Sequence, residues 1–215
     1  MDELELLKKQ WQTREQEFPK LSYQDIYKML LKKSSSIVKW IFLISIGEIV
    51  LWTVLAFLVP ESSREINNGI GLKITFMIIN IFHYAVFVVF ILLFYKNYRT
   101  IRVTDSIKEL MGNILKTRRT VKYFVIYNVG VSVLLFIGVN MFYYTKKDQL
   151  YELMTSTYEG YSAIPPESFT SVFFLSQLIG GVIIIGLLLL FYRLIYGILL
   201  RRLKRNYNEL EKMEI

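Results

Sequence analysis

The chain lacks cysteine altogether and has a single histidine among its 215 residues. Without cysteine it can form no disulfide, no thiol-dependent active site and no cysteine-ligated zinc or iron–sulfur cluster. Phosphate-binding loops, nucleotide fingerprints, serine-hydrolase elbows and zinc-protease motifs are also missing from the sequence. The sequence therefore predicts a non-enzymatic protein that needs no cofactor and no metal.

Charged residues are almost missing from four long apolar stretches, at 37–59, 74–95, 124–144 and 172–192. Each stretch has the roughly 20 residues that a helix needs to cross about 30 Å of hydrocarbon. The N-terminus is charged for about 36 residues before the first stretch, which is unlike a cleavable signal peptide. We therefore predict an all-α membrane protein, an antiparallel bundle of four transmembrane helices in which the first is an uncleaved anchor.

The distribution of basic residues predicts the orientation of this bundle. Of the 26 Lys and Arg residues, 22 lie in 1–39, 96–122 and 193–215, and only four lie in the other two connecting segments. An excess of Lys and Arg in short loops marks the cytoplasmic side. We therefore predict a bacterial inner-membrane protein with both termini in the cytoplasm. The net charge of +8 then reflects topology and attraction to anionic lipid, so a nucleic acid partner is not expected.

The first 36 residues are predicted to form cytoplasmic amphipathic helices. One helix ends before Pro19, and Ser22 with Asp25 resembles a capping box that starts a second helix leading into the first span. The first helix carries an apolar stripe at helical spacing, which can pack on its neighbours, lie on lipid or bind a cytoplasmic protein. The residues of this candidate partner-binding stripe are Leu4, Leu7, Trp11 and Phe18.

Apolar stripes also follow the 3.6-residue period at 107–115 and 199–210. Thr104 or Asp105 is predicted to cap the helix that contains the first of these stripes. Such stripes would be of no use on isolated, solvated helices. We therefore predict that the four-helix bundle occupies 37–205, that its helices extend into the cytoplasm through a helical loop at 96–122, and that 206–215 is a short C-terminal tail.

The two halves of the chain resemble each other. Five residues from Ser22 to Trp40 match residues from Asp105 to Tyr123 at a constant offset of 83, and 92–96 resembles 189–193. This pattern is typical of two duplicated helical hairpins related by an axis along the membrane normal. Convergence explains it equally well, because aromatic and basic residues flank the cytoplasmic end of any span.

Glu48 is the only acidic residue inside a predicted span, and His83 is the only histidine. A carboxylate at that depth costs about 2.5–3.5 kcal/mol to insert, so it needs a partner or a proton. Counting residues along the antiparallel first and second spans puts Glu48 and His83 at similar depths. We predict that they meet directly or through one water, with Ser45 and Asn80 one turn away, in an intramembrane polar cluster that acts as interhelical glue, a proton relay or a ligand site.

Polar and small residues in the last two spans have the same ambiguity. Asn128 and Ser132 in the third span can either tie helices together or line a site. In the fourth span, Gly180, Gly181 and Gly186 do not form a strict G-x-x-x-G pair, although each leaves room for a neighbouring helix. We therefore predict close helix packing along this part of the fourth span.

The stretches Asp2–Trp11 and Ile26–Trp40 resemble a family of small four-span proteins from Bacteroidota. The resemblance covers roughly the first 50 residues in sequence and the remainder in hydropathy alone. It implies a small multi-pass membrane protein and no particular activity. Some relatives carry a carotene-oxygenase label, but such enzymes hold iron with four histidines and this chain has one. That label is therefore rejected.

Three classes of function remain, of which a lipid-modifying membrane enzyme is disfavoured because no catalytic constellation faces either membrane interface. A non-enzymatic scaffold or regulator would bind a cytoplasmic protein through the N-terminal helices. A small transporter or channel subunit would instead use the cluster around Glu48 and His83, and it would be expected to form a homo-oligomer. The sequence favours the scaffold or regulator, because it contains no catalytic motif and few intramembrane charges.

Overall fold

The computed structural model describes residues 22–214 and, before them, Glu5. Throughout that part of the chain the regular elements are α-helices, and four of them (α1, α3, α4 and α7) are long and apolar enough to cross a membrane. The predicted all-α four-helix architecture is therefore confirmed. In chain order the helices are α1 (Tyr23–Phe57), α2 (Glu61–Gly69), α3 (Lys73–Arg102), α4 (Ile107–Thr145), α5 (Lys147–Thr157), α6 (Glu159–Ser162) and α7 (Pro166–Glu214).

The four long helices form a ring in which each packs on two neighbours. Helix α1 contacts α3 and α7, and α4 contacts the same two helices from the other side. Helices α1 and α4 therefore lie on one diagonal of the bundle, with α3 and α7 on the other. The predicted partner-binding stripe of Leu4, Leu7, Trp11 and Phe18 lies outside the described residues.

We call the end where α1 and α4 begin the basic end, because most Lys and Arg residues lie near it. Here an apolar core that includes Leu30, Leu110 and Leu203 runs along the bundle, together with buried polar side chains such as Ser34 and Asn206. Helix α4 begins at Ile107 and buries Leu110, while α7 continues through residues 205 and 206 and buries Leu210. The predicted helical extensions are thus confirmed, and residue 206 is not a structural boundary.

At the basic end, the start of α1 has the predicted cap, whereas the start of α4 is capped by a different residue from the one predicted. Ser22 and Asp25 form the predicted capping box of α1. Helix α4, however, is capped by Ser106, whose hydroxyl accepts from the backbone N–H of Glu109 at 3.3 Å. Thr104 cannot serve as this cap, because its hydroxyl donates to the Thr100 carbonyl at 2.9 Å and accepts from an Asn113 amide N–H at 3.0 Å. The prediction of a cap at Thr104 or Asp105 is therefore wrong.

The opposite end, which we call the loop end, is closed by the short helices α2, α5 and α6. They enclose a second apolar cluster with the start of α7, formed by Ile66, Ile70, Leu72, Leu150, Met154, Phe169 and Phe173. The Tyr158 hydroxyl hydrogen bonds to the hydroxyls of Ser62 at 3.0 Å and Ser63 at 3.3 Å, which lowers the Tyr158 pKa. The connections between the spans are therefore packed structures rather than extended loops.

The buried faces of α1 and α4 correspond at the offset of 83 found in the sequence. Five buried residues of α1 map onto five buried residues of α4. Any two helices that bury one face with a heptad-like spacing can share such a pattern, so the duplication stays a prediction. The pairs are Leu30 with Asn113, Ser34 with Thr117, Val38 with Val121, Ile41 with Phe124 and Ser45 with Asn128.

Candidate functional site

The buried carboxylate of Glu48 on α1 is held by two tyrosines of α7, one of the two helices adjacent to α1 in the bundle. Its side chain on α1 is only 3 % exposed. The Tyr192 hydroxyl donates to Glu48 Oε1, and the Tyr196 hydroxyl donates to Oε2 at 3.2 Å. Tyr192 and Tyr196 are four residues apart and therefore lie on one face of α7. Because both carboxylate oxygens accept a hydrogen bond, part of the cost of removing Glu48 from water is offset.

An aromatic layer fills the bundle beside this carboxylate. Phe124 of α4 lies at its centre and is 1 % exposed. Its ring centroid is 5.2–6.3 Å from those of five other rings, with mostly edge-to-face geometry, which is the favoured packing of aromatic side chains. These rings belong to Phe87, Phe90 and Phe94 on α3 and to Tyr192 and Tyr196 on α7.

His83 binds a different partner from the one the sequence suggested. Its Nδ1 lies 3.3 Å from the Tyr127 hydroxyl of α4, and the two rings are stacked with centroids 5.8 Å apart. Its ring also meets Phe87 edge-on at 4.7 Å. Within the described residues, the hydrogen-bond partners of Glu48 and of His83 are therefore separate sets of tyrosines. The predicted direct contact between Glu48 and His83 is wrong.

The register between α1 and α3 explains this error. Thr53 hydrogen bonds to the Tyr84 hydroxyl at 3.0 Å, and the Phe42 ring lies 5.8 Å from that of Tyr95. These two contacts put Glu48 level with residue 89, about six residues and roughly 9 Å along the axis from His83. Counting from the ends of the apolar stretches missed this offset, because apolar length does not fix the axial position of a helix.

The other two residues of the predicted cluster are divided in the same way. Ser45 is buried on the Glu48 side of α1, but its hydroxyl donates to the Phe42 carbonyl of its own helix at 2.7 Å. Asn80 lies on the His83 side and lines a cavity with it. The structure therefore brings Ser45 together with Glu48, and Asn80 together with His83, rather than uniting all four.

The cavity beside His83 lies between all four long helices and has a volume of about 120 Å³. At about 30 Å³ for each water, it has room for about four waters or a small polar group. A larger cavity of about 340 Å³ lies between α1 and α3 and shares Trp52, Asn80 and His83 with the first. The polar and aromatic residues around the inner cavity are Trp52, Asn80, His83, Asn128, Ser132 and Tyr192.

Tyr192 connects the two parts of the site, because it both donates to Glu48 and lines the cavity with His83. Tyr192 and Tyr196 were not among the residues predicted for this site, because the fourth span was predicted to end at residue 192 and aromatic residues are common at the cytoplasmic end of any span. The sequence contains one signal for this contact. Tyr192 and Tyr196 are four residues apart and so lie on one face of a helix, and Glu48 is the only acidic residue inside a predicted span that could accept hydrogen bonds from them.

Close packing between α4 and α7 is concentrated at one glycine. A Cβ atom at Gly181 would lie 2.2 Å from Cε2 of Phe136, whereas one at Gly180 or Gly186 would meet nothing within 4 Å. The prediction of close approach is thus confirmed at Gly181 and wrong at Gly180 and Gly186. Of these three glycines, only Gly181 faces the Phe136 ring of α4.

The fold and the site define a class: an α-helical bundle with four helices able to cross a membrane and a polar, aromatic-lined centre. Within this class, the chain belongs to the family described as domain of unknown function DUF8845, whose model matches residues 24–215. Neither a curated protein nor a solved structure matches the chain.

Proposed function

We propose that this protein is a non-enzymatic membrane scaffold or regulator that binds a cytoplasmic protein through its N-terminal helices. The observation that carries the proposal is the closed centre of the bundle. Phe124 and the five rings around it fill the space between α3, α4 and α7. From this layer to the basic end the core is closed, with Val38, Val121 and Leu203 fully buried and the buried Asn206 paired with Ser34 across helices. A rigid bundle of this kind suits presentation of a binding segment better than passage of a solute.

The proposed location is a bacterial inner membrane with both termini in the cytoplasm. It is supported by the sequence, in which 22 of the 26 Lys and Arg residues lie in the segments 1–39, 96–122 and 193–215, and it agrees with the resemblance to small four-span proteins of Bacteroidota. Because the chain contains no cysteine, single-cysteine labelling can test it directly. In intact cells, an impermeant thiol reagent should label Ser162→Cys, and it should label Ser35→Cys only after permeabilisation. The reverse pattern would contradict the proposed orientation.

Partner binding can be tested by placing a photo-crosslinking residue in the native host. The apolar stripe predicts that a crosslinker at Leu7 will capture one soluble protein, while a crosslinker at Lys9, away from the stripe, will not. Exchange of Trp11 for Glu should abolish the adduct at Leu7, since a charge at the centre of an apolar contact costs affinity. An adduct with this chain alone would indicate a homo-oligomer instead. That result, or no adduct at Leu7, would overturn the proposed regulatory function.

A small transporter or channel subunit is the second candidate, and the cavity beside His83 is the observation that favours it. The side opening between α1 and α3 reaches Asn80 and His83, so a small polar molecule has access to the interior there. Against it, the aromatic layer around Phe124 separates this cavity from the basic end. Vesicles containing the protein and a pH-sensitive dye test the simplest solute, the proton. We expect no flux above that of protein-free vesicles, and a flux abolished by Glu48→Gln would favour the second candidate.

A further inference from the structure

A groove between α1 and α7 at the basic end concentrates positive charge. It has a volume of about 680 Å³ and is open to the surface. Four of the side chains that line it are basic, and the others are apolar or neutral. The lining residues are Lys32, Lys33, Arg202 and Arg205, together with Met29, Ser36, Ile37 and Asn206.

Little negative charge balances these side chains. Arg205 pairs with Glu209 at 3.4 Å, one turn further along α7. Within residues 22–214, no carboxylate lies within ion-pair distance of Lys32, Lys33 or Arg202. Like charges that converge on one groove repel each other, and a bound anion would relieve that repulsion.

The position of the groove indicates where the anion comes from. On α1 and α7, Lys39 and Arg201 mark the border between the charged extension and the apolar part of each helix. Lys32 is seven residues from Lys39, so the groove lies within about two helical turns of this border. Basic residues so close to the apolar surface are within reach of phospholipid headgroups.

Exposed apolar side chains continue the groove towards the apolar stretches of both helices. Trp40 follows Ile37 by three residues on α1, and Ile198 precedes Arg202 by four residues on α7, so each lies on the groove face of its helix. Trp40 is 57 % exposed and Ile198 is 42 % exposed. Together they form an apolar surface directly below the basic groove.

We propose that this groove is a binding site for an anionic phospholipid. The phosphate lies among Lys32, Lys33 and Arg202, where arginine can engage phosphate oxygens through two parallel hydrogen bonds. The acyl chains lie along Trp40 and Ile198. The site is independent of the proposed regulatory function, because it involves neither the N-terminal stripe nor the centre of the bundle.

The test compares lipids on the purified full chain in a neutral detergent. Native mass spectrometry measures retention of phosphatidylglycerol against phosphatidylcholine with the same acyl chains. The groove variant combines Lys32→Gln, Lys33→Gln and Arg202→Gln. The matched control variant combines Lys116→Gln, Arg119→Gln and Lys122→Gln, which removes three exposed basic residues of α4 that do not line the groove. Both variants are first checked for unchanged helicity by circular dichroism.

We expect the native chain and the control variant to retain phosphatidylglycerol in preference to phosphatidylcholine. The groove variant should bind phosphatidylglycerol about 100-fold more weakly, because each of the three basic residues near an anionic headgroup contributes about fivefold. Inorganic phosphate added alone should not displace the lipid, since it lacks the acyl chains. Equal retention of both lipids, equal loss in the two variants, or displacement by phosphate would each overturn the proposal.

Discussion

The two ends of the bundle reach a packed interior in different ways. At the basic end, the four long helices continue past the apolar stretches and share one core, in which buried amides pair across helices. Asn206 donates to Ser34 at 3.0 Å, and Asn97 donates to Thr120 at 3.1 Å. At the loop end, three short helices close the bundle instead, and Tyr143 donates to Asn67 of α2. At the basic end, the core is therefore formed by apolar residues that repeat along long helices. At the loop end, it is formed by short helices where the chain reverses direction.

Between these ends lie two separately satisfied polar groups, Glu48 and His83. Glu48 is buried and accepts from two phenols, whereas His83 is half-buried and has one described hydrogen bond. On the side towards the basic end, Glu48 therefore links α1 to α7 by hydrogen bonds. On the side towards the loop end, His83 lies beside an accessible cavity. The same comparison predicts different sensitivities to mutation.

The largest expected effect is that of Glu48→Ala. It leaves two buried hydroxyls, those of Tyr192 and Tyr196, without an acceptor, at about 1–3 kcal/mol for each group. The free energy of unfolding, measured in mixed micelles, should therefore fall by about 2–6 kcal/mol. His83→Ala should cost only about 1 kcal/mol, because it removes one long hydrogen bond from a half-buried group.

The double variant sharpens this test. Since Glu48 and His83 share no hydrogen-bond partner, their effects should add to within about 0.5 kcal/mol. Glu48→Gln, which keeps one carbonyl acceptor, should cost less than Glu48→Ala. Strong non-additivity, or a larger loss from His83→Ala than from Glu48→Ala, would contradict the separation of the two groups.

The next largest effect is expected where Gly181 of α7 lies against the Phe136 ring of α4. Gly181→Ala places a Cβ against the Phe136 ring, and overpacking of this kind typically costs about 1–3 kcal/mol. Gly180→Ala is the matched control, because a Cβ there meets nothing and alanine favours the helix by up to about 1 kcal/mol. The same unfolding assay measures both. If Phe136→Leu fails to reduce the cost of Gly181→Ala, the ring is not its cause.

The smallest effect is expected at the exposed start of α1. Hydrogen bonds from the Ser22 hydroxyl and backbone N–H to the Asp25 carboxylate lower the Asp25 pKa. The cap therefore stabilises the helix fully above the ordinary carboxyl pKa, near 4, and is lost as the pH falls through the lowered folded-state value. The protection factors of the amides in the first turn of α1, which correct for the intrinsic pH dependence of hydrogen exchange, should fall at low pH in the native chain. In Ser22→Ala they should already be low at neutral pH, and equal protection factors in both chains would contradict the role of the cap.

The amount of structure that could be predicted differs between the two ends. Positions such as Leu110 and Leu203 repeat at helical spacing, so the extensions at the basic end could be recognised from sequence. The helices α2 and α5 could not, because α2 buries only Ile66 and α5 only Leu150 and Met154, too few positions to form a periodic pattern. In the site, the need of Glu48 for a partner was predictable. The identity of that partner was not, since it depends on how far α7 is shifted along α1.

The 49-residue length of α7 has a mechanical consequence. An unbroken helix of this length measures roughly 73 Å, so it is a stiff rod that reaches from the short helices at the loop end to the last turn at the basic end. A tilt of about 5° around its midpoint would move each end by roughly 3 Å. Glu48 holds this rod part-way along, through Tyr192 and Tyr196. The carboxylate therefore holds α7 close to its midpoint, where a tilt of the helix would displace it least.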